Sequence, residues 1–488
     1  MAGDSMGRVA LDIRALNSRD KSRARPVIRI SAQPSPLLQA CGLALSLSTL
    51  VLTLASPAQA ETISGALSKA YRTSPELNAQ RADVRATDEN LPAAKGGFRP
   101  NIYSTGNWGF LNQHLALGSA SQSSQTHPGG INLVINQNLF NGFRDLNGVN
   151  RAEYQIKQAQ QLLRYSESNV LSSAAAAYMK VLRDSSIVLL RSDAVEALEL
   201  QLSSTQIRLE RGEVSRTDVS QAQGALAQGR GDLAVARAAL LGSQAVYRQL
   251  IGETPKQLTP AKAIDGLIPK SLPESLKLAD KEHPLLLAAN FSIEAAELSS
   301  QIAKGQLLPT LNLVGTWSRA QDYSAVAREY NTSASVVAQL NVPIYEAGVG
   351  YAQARQAIEK LSQARILADQ QRMQVHMTIE SYWANREAIR ETIKAAGDQV
   401  QASEATLNGV REEAKFGERT TQDILYAQQL LTNSRVGLIN SQHDRVVISY
   451  NLLAAIGRLS ADSLNLAVEK YDPKAHYDNV QNKWIGFD

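Results

Sequence analysis

Apolar residues recur every seven positions along a stretch of the chain that contains no proline. Between Pro128 and Pro255 no residue removes a backbone donor, so a helix is permitted throughout. A seven-residue spacing keeps one seam of a helix facing a partner, as in a coiled coil. The pattern predicts a helix over 144–210, roughly 100 Å long, a reversal at Gly212-Glu213 and a returning helix over 215–250. The seam positions are Val181, Val188, Val195, Leu202 and Leu209.

Shorter stretches alternate between apolar and polar residues, which predicts β-strands. The first strand is predicted over 101–111 and the second over 131–139, with a polar loop over 113–130 between them. Strands of about ten residues with one apolar and one polar face are typical of transmembrane barrels, and a half-buried hairpin of a soluble protein has the same pattern. On the first strand Ile102, Trp108 and Phe110 share one face, and Tyr103, Thr105 and Asn107 share the other.

The whole pattern occurs twice in the chain. An offset of 209 residues, which becomes 205 after a shorter loop, relates the two halves. The second half again has two predicted strands, near 310–318 and 334–342, and a proline-free stretch after Pro343. The matched residues include Pro75 with Pro284, Trp108 with Trp317, Gly212 with Gly417, and Asp218 with Asp423.

The repeat predicts the domain organisation. The first structural repeat spans 61–252 and the second spans 274–457, with an inter-repeat linker over 253–273 that is rich in proline. A signal peptide is predicted over 1–60, and a C-terminal tail over 458–488.

The predicted helix lengths suggest how each repeat is assembled. The returning helices have about 36 residues and are too short to pair with the whole of the long ones. The first helices, 62–95 and 274–306, have about 34 residues each, so stacking them on the returning helices restores the full length.

Four membrane strands per chain cannot close a barrel, because the smallest known barrels have eight. Open strand edges inside lipid cost several kcal/mol for each unpaired group, so the chain must oligomerise. Three copies would supply twelve strands and enclose a channel.

Composition and charge narrow the function classes. The 488 residues are 44% hydrophobic but only 5% aromatic, which suits close helix packing. The formal net charge of +4 comes from the first 60 residues, so the remainder is neutral and nothing indicates nucleic-acid binding. We find no nucleophile elbow, phosphate-binding loop or metal-ligand spacing, so we expect no enzyme activity, cofactor or metal site.

The first 60 residues resemble a secretory leader, with seven basic residues before an apolar run. Ala58-Gln59-Ala60 provides a small-residue cleavage site before Glu61. A membrane anchor is the alternative, but the run is shorter than the roughly 20 apolar residues that a span requires. Cys41, the only cysteine, precedes the apolar run, whereas a lipid-attachment cysteine should follow it.

Several motifs, taken with the doubled organisation, resemble the TolC family of outer-membrane export ducts. The resemblance covers essentially the whole mature chain. The motifs are LFNGF (139–143) and PIYEAG (343–348), where strands enter long helices, FGERTTQDILYAQ (416–428) at the second helical turn, and the tail YDPKAHYDNVQNKWIG (471–486).

The resemblance implies a mainly α protein with membrane β-structure. Its fold would be a trimeric, 12-stranded outer-membrane β-barrel with four strands per chain, continued by a long periplasmic α-helical coiled-coil barrel. The implied partners of the homotrimer are outer-membrane lipid, a periplasmic adaptor (membrane fusion) protein and an inner-membrane pump of the RND or ABC type. The chain would be the passive exit duct for drugs, toxic compounds or type I secreted proteins of a Gram-negative cell, with its tail in the periplasm.

The family's periplasmic gate maps onto the two helical turns. Thr217 and Asp218 match an acceptor pair in the first turn, Arg419 matches the basic latch residue, and Asp423 matches the carboxylate that forms a ring at the constriction. Two departures change this pattern: Tyr426 stands where some members have a second aspartate, and Ala414 replaces a tyrosine that helps the latch.

Local helix capping is the alternative role for these residues. Ser215 with Asp218, and Thr420 with Asp423, have the spacing of a capping box, in which a carboxylate reaches back to the cap amide. Gly212 and Gly417 are expected to be left-handed residues that end the long helices. An adaptor contact at these turns, with Glu213 and Glu418, is a second hypothesis.

A trimeric coiled-coil adhesin or envelope spacer with a barrel anchor is the alternative function, because it would share long helices and strands. The doubled hairpin order argues against it. An adhesin stalk needs only one rising helix per chain.

Overall fold

The computed structural model describes residues 61–322 and 330–486. The predicted leader and Cys41 lie outside these residues. The described elements are α1 (Ile63–Thr73), α2 (Pro75–Asp88), α3 (Asn90–Lys95), β1 (Asn101–Trp108), β2 (Leu111–Leu117), β3 (Ala120–Thr126), β4 (Gly129–Phe140), α4 (Arg144–Glu210), α5 (Arg216–Ile251), α6 (Leu272–Glu282), α7 (Pro284–Gly305), β5 (Thr310–Gln321), β6 (Tyr330–Asn341), α8 (Val349–Lys415), α9 (Thr421–Ile456) and α10 (Pro473–Val480).

The two long helices confirm the expectation from the heptad pattern. Helices α4 and α8 each have 67 residues, and the returning helices α5 and α9 each have 36. At about 1.5 Å per residue the long helices measure roughly 100 Å. None of the helices in the described ranges combines the length and the apolar composition that a membrane crossing requires.

The single first helix predicted over 62–95 is wrong, because three helices occupy this stretch. Ser74, with ψ 119°, interrupts the helix before Pro75 and separates α1 from α2. In the same way His283, with ψ 120°, separates α6 from α7 before Pro284. A proline disfavours the helical conformation at the residue before it and has no N–H to donate, so both repeats break at the same place.

As expected, the short first helices of each repeat stack on the returning helix, and together they match the length of the long helix. At the end of α5 the Thr73 hydroxyl donates to the Ile251 carbonyl at 3.2 Å. At the end of α9, a Cβ on Gly457 would lie only 2.6 Å from His283 Cα, so the two helix ends meet closely. Both repeats therefore place the junction between their short helices at the end of the returning helix.

Four strands form one antiparallel sheet in the order β1-β4-β5-β6. Its register separates polar from apolar rows. Thr105, Asn132, Ser318 and Ser333 lie side by side across the four strands, and Ile102, Ile135, Gly315 and Val336 form a row on the opposite face. This arrangement confirms the predicted alternation.

The loop predicted over 113–130 is wrong. Strands β2 and β3 form a separate antiparallel hairpin, with Leu111 opposite Thr126 and Leu117 opposite Ala120. Phe110, expected on the first strand, lies between β1 and β2. The Ser- and Gln-rich sequence of β3 has no alternation of apolar and polar residues, which is the pattern that predicts a strand. Backbone hydrogen bonds pair β3 with β2, and these leave no signal in the sequence.

Candidate functional site at the turns between the long helices

Each long helix ends at a glycine in the left-handed conformation. Gly212 has φ +74° and Gly417 has φ +80°. Beyond each glycine the chain bonds back to the helix: Glu213 N donates to the Arg208 carbonyl at 2.9 Å, and Glu418 N donates to the Glu413 carbonyl at 3.1 Å. These bonds satisfy carbonyls at the helix ends that would otherwise lack partners, and they reverse the chain as expected.

Both returning helices begin with a complete capping box. Ser215 N donates to Asp218 Oδ2 at 2.9 Å, and Asp218 N donates to Ser215 Oγ at 3.2 Å. In the second repeat, Thr420 N donates to Asp423 Oδ2 at 2.9 Å and Asp423 N donates to Thr420 Oγ1 at 3.3 Å. The capping role expected from the spacing is therefore present in both turns.

These hydrogen bonds favour the ionised carboxylates. The Ser215 side chain and then its backbone amide lower the pKa of Asp218, and the Thr420 amide and then its hydroxyl lower the pKa of Asp423. Both turns therefore present fixed negative charge at the ends of helices whose N-terminal dipoles stabilise it.

An ion pair crosses each turn, with its charges reversed between the repeats. In the first turn Arg208 Nε lies 3.3 Å from Glu213 Oε2. In the second turn Arg419 Nε donates to Glu413 Oε2 at 2.6 Å, and this hydrogen bond raises the pKa of Arg419. The offset of 205 residues places Glu413 at the position of Arg208. Sequence reasoning missed Arg208 and Glu413, although the offset shows that this matched position carries opposite charges in the two repeats. The loop-side partners, Glu213 and Arg419, are not at matched positions.

The two turns contact each other within one chain. The Thr421 side chain lies close enough to the Asp218 carboxylate to lower the pKa of Asp218 further. Thr421 is buried, and one turn further along α9 the buried Leu425 packs with Leu198 of α4 and Leu226 of α5. Sequence reasoning did not identify Thr421 either. Its side chain joins the first turns of α5 and α9.

The structure brings only some of the predicted gate residues together. Asp423 lies close enough to Arg419 for each charge to shift the pKa of the other. Thr217 is exposed, and the hydrogen bond of Arg419 goes to Glu413 in its own turn. A contact from Arg419 to Thr217 or Asp218 is thus not made within the described chain, and between chains it stays a prediction.

The two departures from the family pattern have different environments. Ala414 is buried on the last turn of α8, where a larger side chain would have to displace its neighbours. Tyr426 is exposed on α9, and Phe416, next to the turn glycine, is also exposed. The tip therefore carries two exposed aromatic rings beside its charged residues. In the described ranges no group of three His, Cys, Asp or Glu side chains is placed to hold a metal ion.

Comparison with known proteins decides the family. The model of the outer membrane efflux protein family matches residues 66–253 and 276–458. The chain belongs to the outer membrane efflux protein family. Outer membrane efflux protein BepC of Brucella suis biovar 1 is 38% identical over 443 residues, which cover 91% of this chain and 95% of the relative. Outer membrane protein TolC of Escherichia coli K12 is 24% identical over 448 residues, 88% of each chain.

The fold agrees with solved members of the family. The CmeC outer membrane channel of Campylobacter jejuni superimposes with a TM-score of 0.72 at 14% identity, covering 86% of this chain and 89% of that channel. The family and its structural neighbours are outer-membrane channels and not enzymes. The protein therefore has a TolC-like fold and is located in the outer membrane of a Gram-negative cell.

Proposed function

We propose that three copies of this chain form the passive exit duct of a tripartite export system. A periplasmic adaptor would join the helical end of the duct to an inner-membrane pump of the RND or ABC type, which supplies the energy. The cargo would be drugs or other toxic compounds, type I secreted proteins, or both.

The observation that carries this proposal is the pair of unpaired edges of the four-stranded sheet. Among the described strands, β1 pairs only with β4 and β6 pairs only with β5. The outer edges of β1 and β6 are not paired with another described strand, and lipid cannot satisfy the backbone N–H and C=O groups of an open strand edge. Pairing β6 of one copy with β1 of the next, three times, closes a barrel of twelve strands.

The sheet faces suit this assembly. The row of Thr105, Asn132, Ser318 and Ser333 would line a water-filled lumen, and the row of Ile102, Ile135, Gly315 and Val336 would face lipid. The two 67-residue helices of each chain then continue the wall of the barrel as a tunnel about 100 Å long.

We further propose that the turns close the far end of the tunnel. Threefold symmetry would repeat Asp423 around the constriction, and rings of acidic side chains favour cations. Arg419 would act as the latch, held to Glu413 in its own chain or exchanged to Thr217 or Asp218. Gly212, Glu213, Gly417 and Glu418 would offer the adaptor a contact surface at the tip.

Native mass measurement of the detergent-extracted protein, followed by planar-bilayer recording, tests the duct. We expect a trimer that conducts ions. A folded monomer or dimer contradicts the closed barrel. A trimer without conductance at any voltage favours the alternative, an adhesin or envelope spacer, because a spacer needs no through-channel. Cross-linking in cells, followed by purification, would then identify the adaptor and the pump.

A further inference from the structure

The C-terminal tail follows α2 and α3 toward the sheet and is attached at successive points. Tyr471 N donates to the Tyr71 hydroxyl at 3.2 Å. His476 Nδ1, on α10, lies 3.0 Å from Oδ2 of Asp88, a carboxylate with no exposed surface. Val480, the last residue of α10, is buried. The tail is therefore packed against the body of the protein along its path.

Beyond α10 two basic side chains hold the tail to the segment that precedes β1. Lys95 Nζ donates to the Gln481 carbonyl at 2.9 Å and to Asn482 Oδ1 at 3.2 Å. Arg99 Nη1 donates to the Lys483 carbonyl at 2.8 Å, and its guanidinium lies 4.6 Å from the centre of the Trp484 ring. Hydrogen bonds and a cation–π contact thus fix the end of the tail beside Arg99.

This attachment places Trp484 at the helix-side end of the sheet. Arg99 is two residues before β1, and Gln137 of β4 donates its side-chain N–H to the Phe98 carbonyl at 3.1 Å. Strands β4, β5 and β6 each have 12 residues. At about 3.3 Å per residue and a tilt of 35–45° they rise roughly 30 Å, which matches the hydrocarbon thickness of a bilayer. In the proposed barrel the helix-side ends of these strands, with Trp484 beside the start of β1, would lie at the level of the lipid headgroups.

The surface at this level is apolar and basic. Trp484 is 67% exposed and Ile485 is 92% exposed, and Phe98, the residue before Arg99, is also exposed. Lys483 is exposed and makes no ion pair with an acidic side chain in the described ranges. Tryptophan is enriched where membranes meet water, because its ring is apolar and its N–H is polar, while lysine is attracted to anionic headgroups.

We propose that Trp484 and Ile485 insert into the periplasm-facing leaflet of the outer membrane, with Lys483 on an anionic phospholipid headgroup. The tail would then connect α2 and α3 to the bilayer at the base of the barrel. The proposal rests on the location of the protein in the outer membrane and on the proposed barrel, whose strands cross the bilayer. It is independent of the proposed export role, and a conductance recording on the same samples separates the two.

A spin label at Ile485 measures this insertion directly. The full chain with Cys41→Ser and Ile485→Cys carries one thiol and is reconstituted in nanodiscs of phosphatidylethanolamine and phosphatidylglycerol. We expect the label to collide with oxygen in preference to a water-soluble nickel chelate, at a depth of about 5–10 Å below the headgroup boundary. The matched control is Lys474→Cys on the exposed first turn of α10. Its label should favour the chelate.

Two further variants test the chemistry of the contact. Trp484→Ala should move the Ile485 label toward the chelate. With Lys483 present, we expect the Ile485 label to lie deeper in nanodiscs with phosphatidylglycerol than in nanodiscs of phosphatidylcholine alone. Lys483→Glu should remove this difference in depth. The proposal is overturned if the Ile485 label is as accessible to the chelate as the control. It is equally overturned if the label is shielded from both reagents in lipid and in detergent alike, because the tail would then be packed on a neighbouring copy.

Discussion

Arg419 Nε donates to Glu413 Oε2 at 2.6 Å across the turn between the second pair of long helices. The corresponding pair in the first turn, Arg208 with Glu213, has the opposite order of charges and a distance of 3.3 Å. A cation therefore stands on the helix side of one turn and on the loop side of the other. Each arginine also lies near the capping-box carboxylate of its own turn, since Arg208 lowers the pKa of Asp218 and Arg419 lowers the pKa of Asp423.

Arg419→Ser should raise single-channel conductance, because it removes the cation proposed to hold the tip closed. Planar-bilayer recording of the purified protein measures this change. Arg208→Ser is the matched control, since it breaks the equivalent ion pair in the first turn and should leave conductance unchanged. An equal increase in both variants would assign the effect to general loosening of the turns, and no increase in Arg419→Ser would remove the latch role.

Asp423→Asn and Thr420→Ala should separate ion selectivity from helix capping. Asn can still accept the hydrogen bond from Thr420 N but carries no charge, so Asp423→Asn should reduce cation preference and relieve block by a trivalent cation. Thr420→Ala keeps the charge and removes the cap hydroxyl, so it should destabilise the start of α9 by about 0.5–2 kcal/mol and leave selectivity unchanged.

Reversal potentials in a salt gradient, together with thermal unfolding, measure both effects. If Asp423→Asn leaves reversal potential and trivalent block unaltered, Asp423 serves as a cap partner alone.

His283 should make the stability of the protein depend on pH. Burial lowers the pKa of His283 to about 4, and its Nδ1 accepts the Leu285 N–H at 3.2 Å at the start of α7. The folded protein keeps the neutral ring, so this contribution to stability is fully present above the unfolded pKa of about 6.5. It is lost progressively as pH falls from about 6.5 to about 4, by roughly 3 kcal/mol in total.

Thermal unfolding in detergent at a series of pH values measures this dependence. His283→Asn retains a side chain that can cap α7 and has no titratable group. Its stability should change less between pH 4 and 6.5 than that of the parent protein. Identical pH profiles for the two proteins would show that His283 does not titrate in this range.

Gly457→Ala should cost more stability than Gly417→Ala, although both glycines have similar left-handed conformations, with φ +86° and φ +80°. Backbone strain alone costs about 1–2 kcal/mol at either position. A Cβ on Gly417 meets open space, whereas a Cβ on Gly457 would lie 2.6 Å from His283 Cα. Thermal unfolding of the two variants compares the costs. Equal losses would mean that the junction between α9 and α7 adjusts without penalty.

Gly417→Val should impair export but leave membrane insertion intact, because it strains the reversal far from the sheet. Drug resistance of a duct-deleted strain that carries the variant measures export, and outer-membrane fractionation measures insertion. Full resistance with Gly417→Val would show that export tolerates a distorted tip.

The sequence by itself determined the features that depend on local spacing. The proline-free heptad pattern predicted a helix over 144–210, and α4 has these bounds. Such a pattern predicts a helix because its apolar positions form one face that a partner helix can cover. The three-residue spacing in Ser215–Asp218 and Thr420–Asp423 predicted both capping boxes, since their atoms meet within one helical turn. The offset between the repeats predicted that both halves would have a pair of sheet strands, a long helix and a returning helix.

Only the tertiary structure decided which residues meet across long stretches of chain. Thr421 at the start of α9 lies near Asp218 in the first turn of α5, and Trp484, beyond α10, lies over Arg99, before β1, because tertiary packing brings these distant segments together. Sequence periodicity cannot predict such contacts, because it depends on the spacing of residues within one element and these contacts join different elements. The β2–β3 hairpin was hidden for a related reason: backbone pairing holds it together, and backbone groups are the same in every sequence.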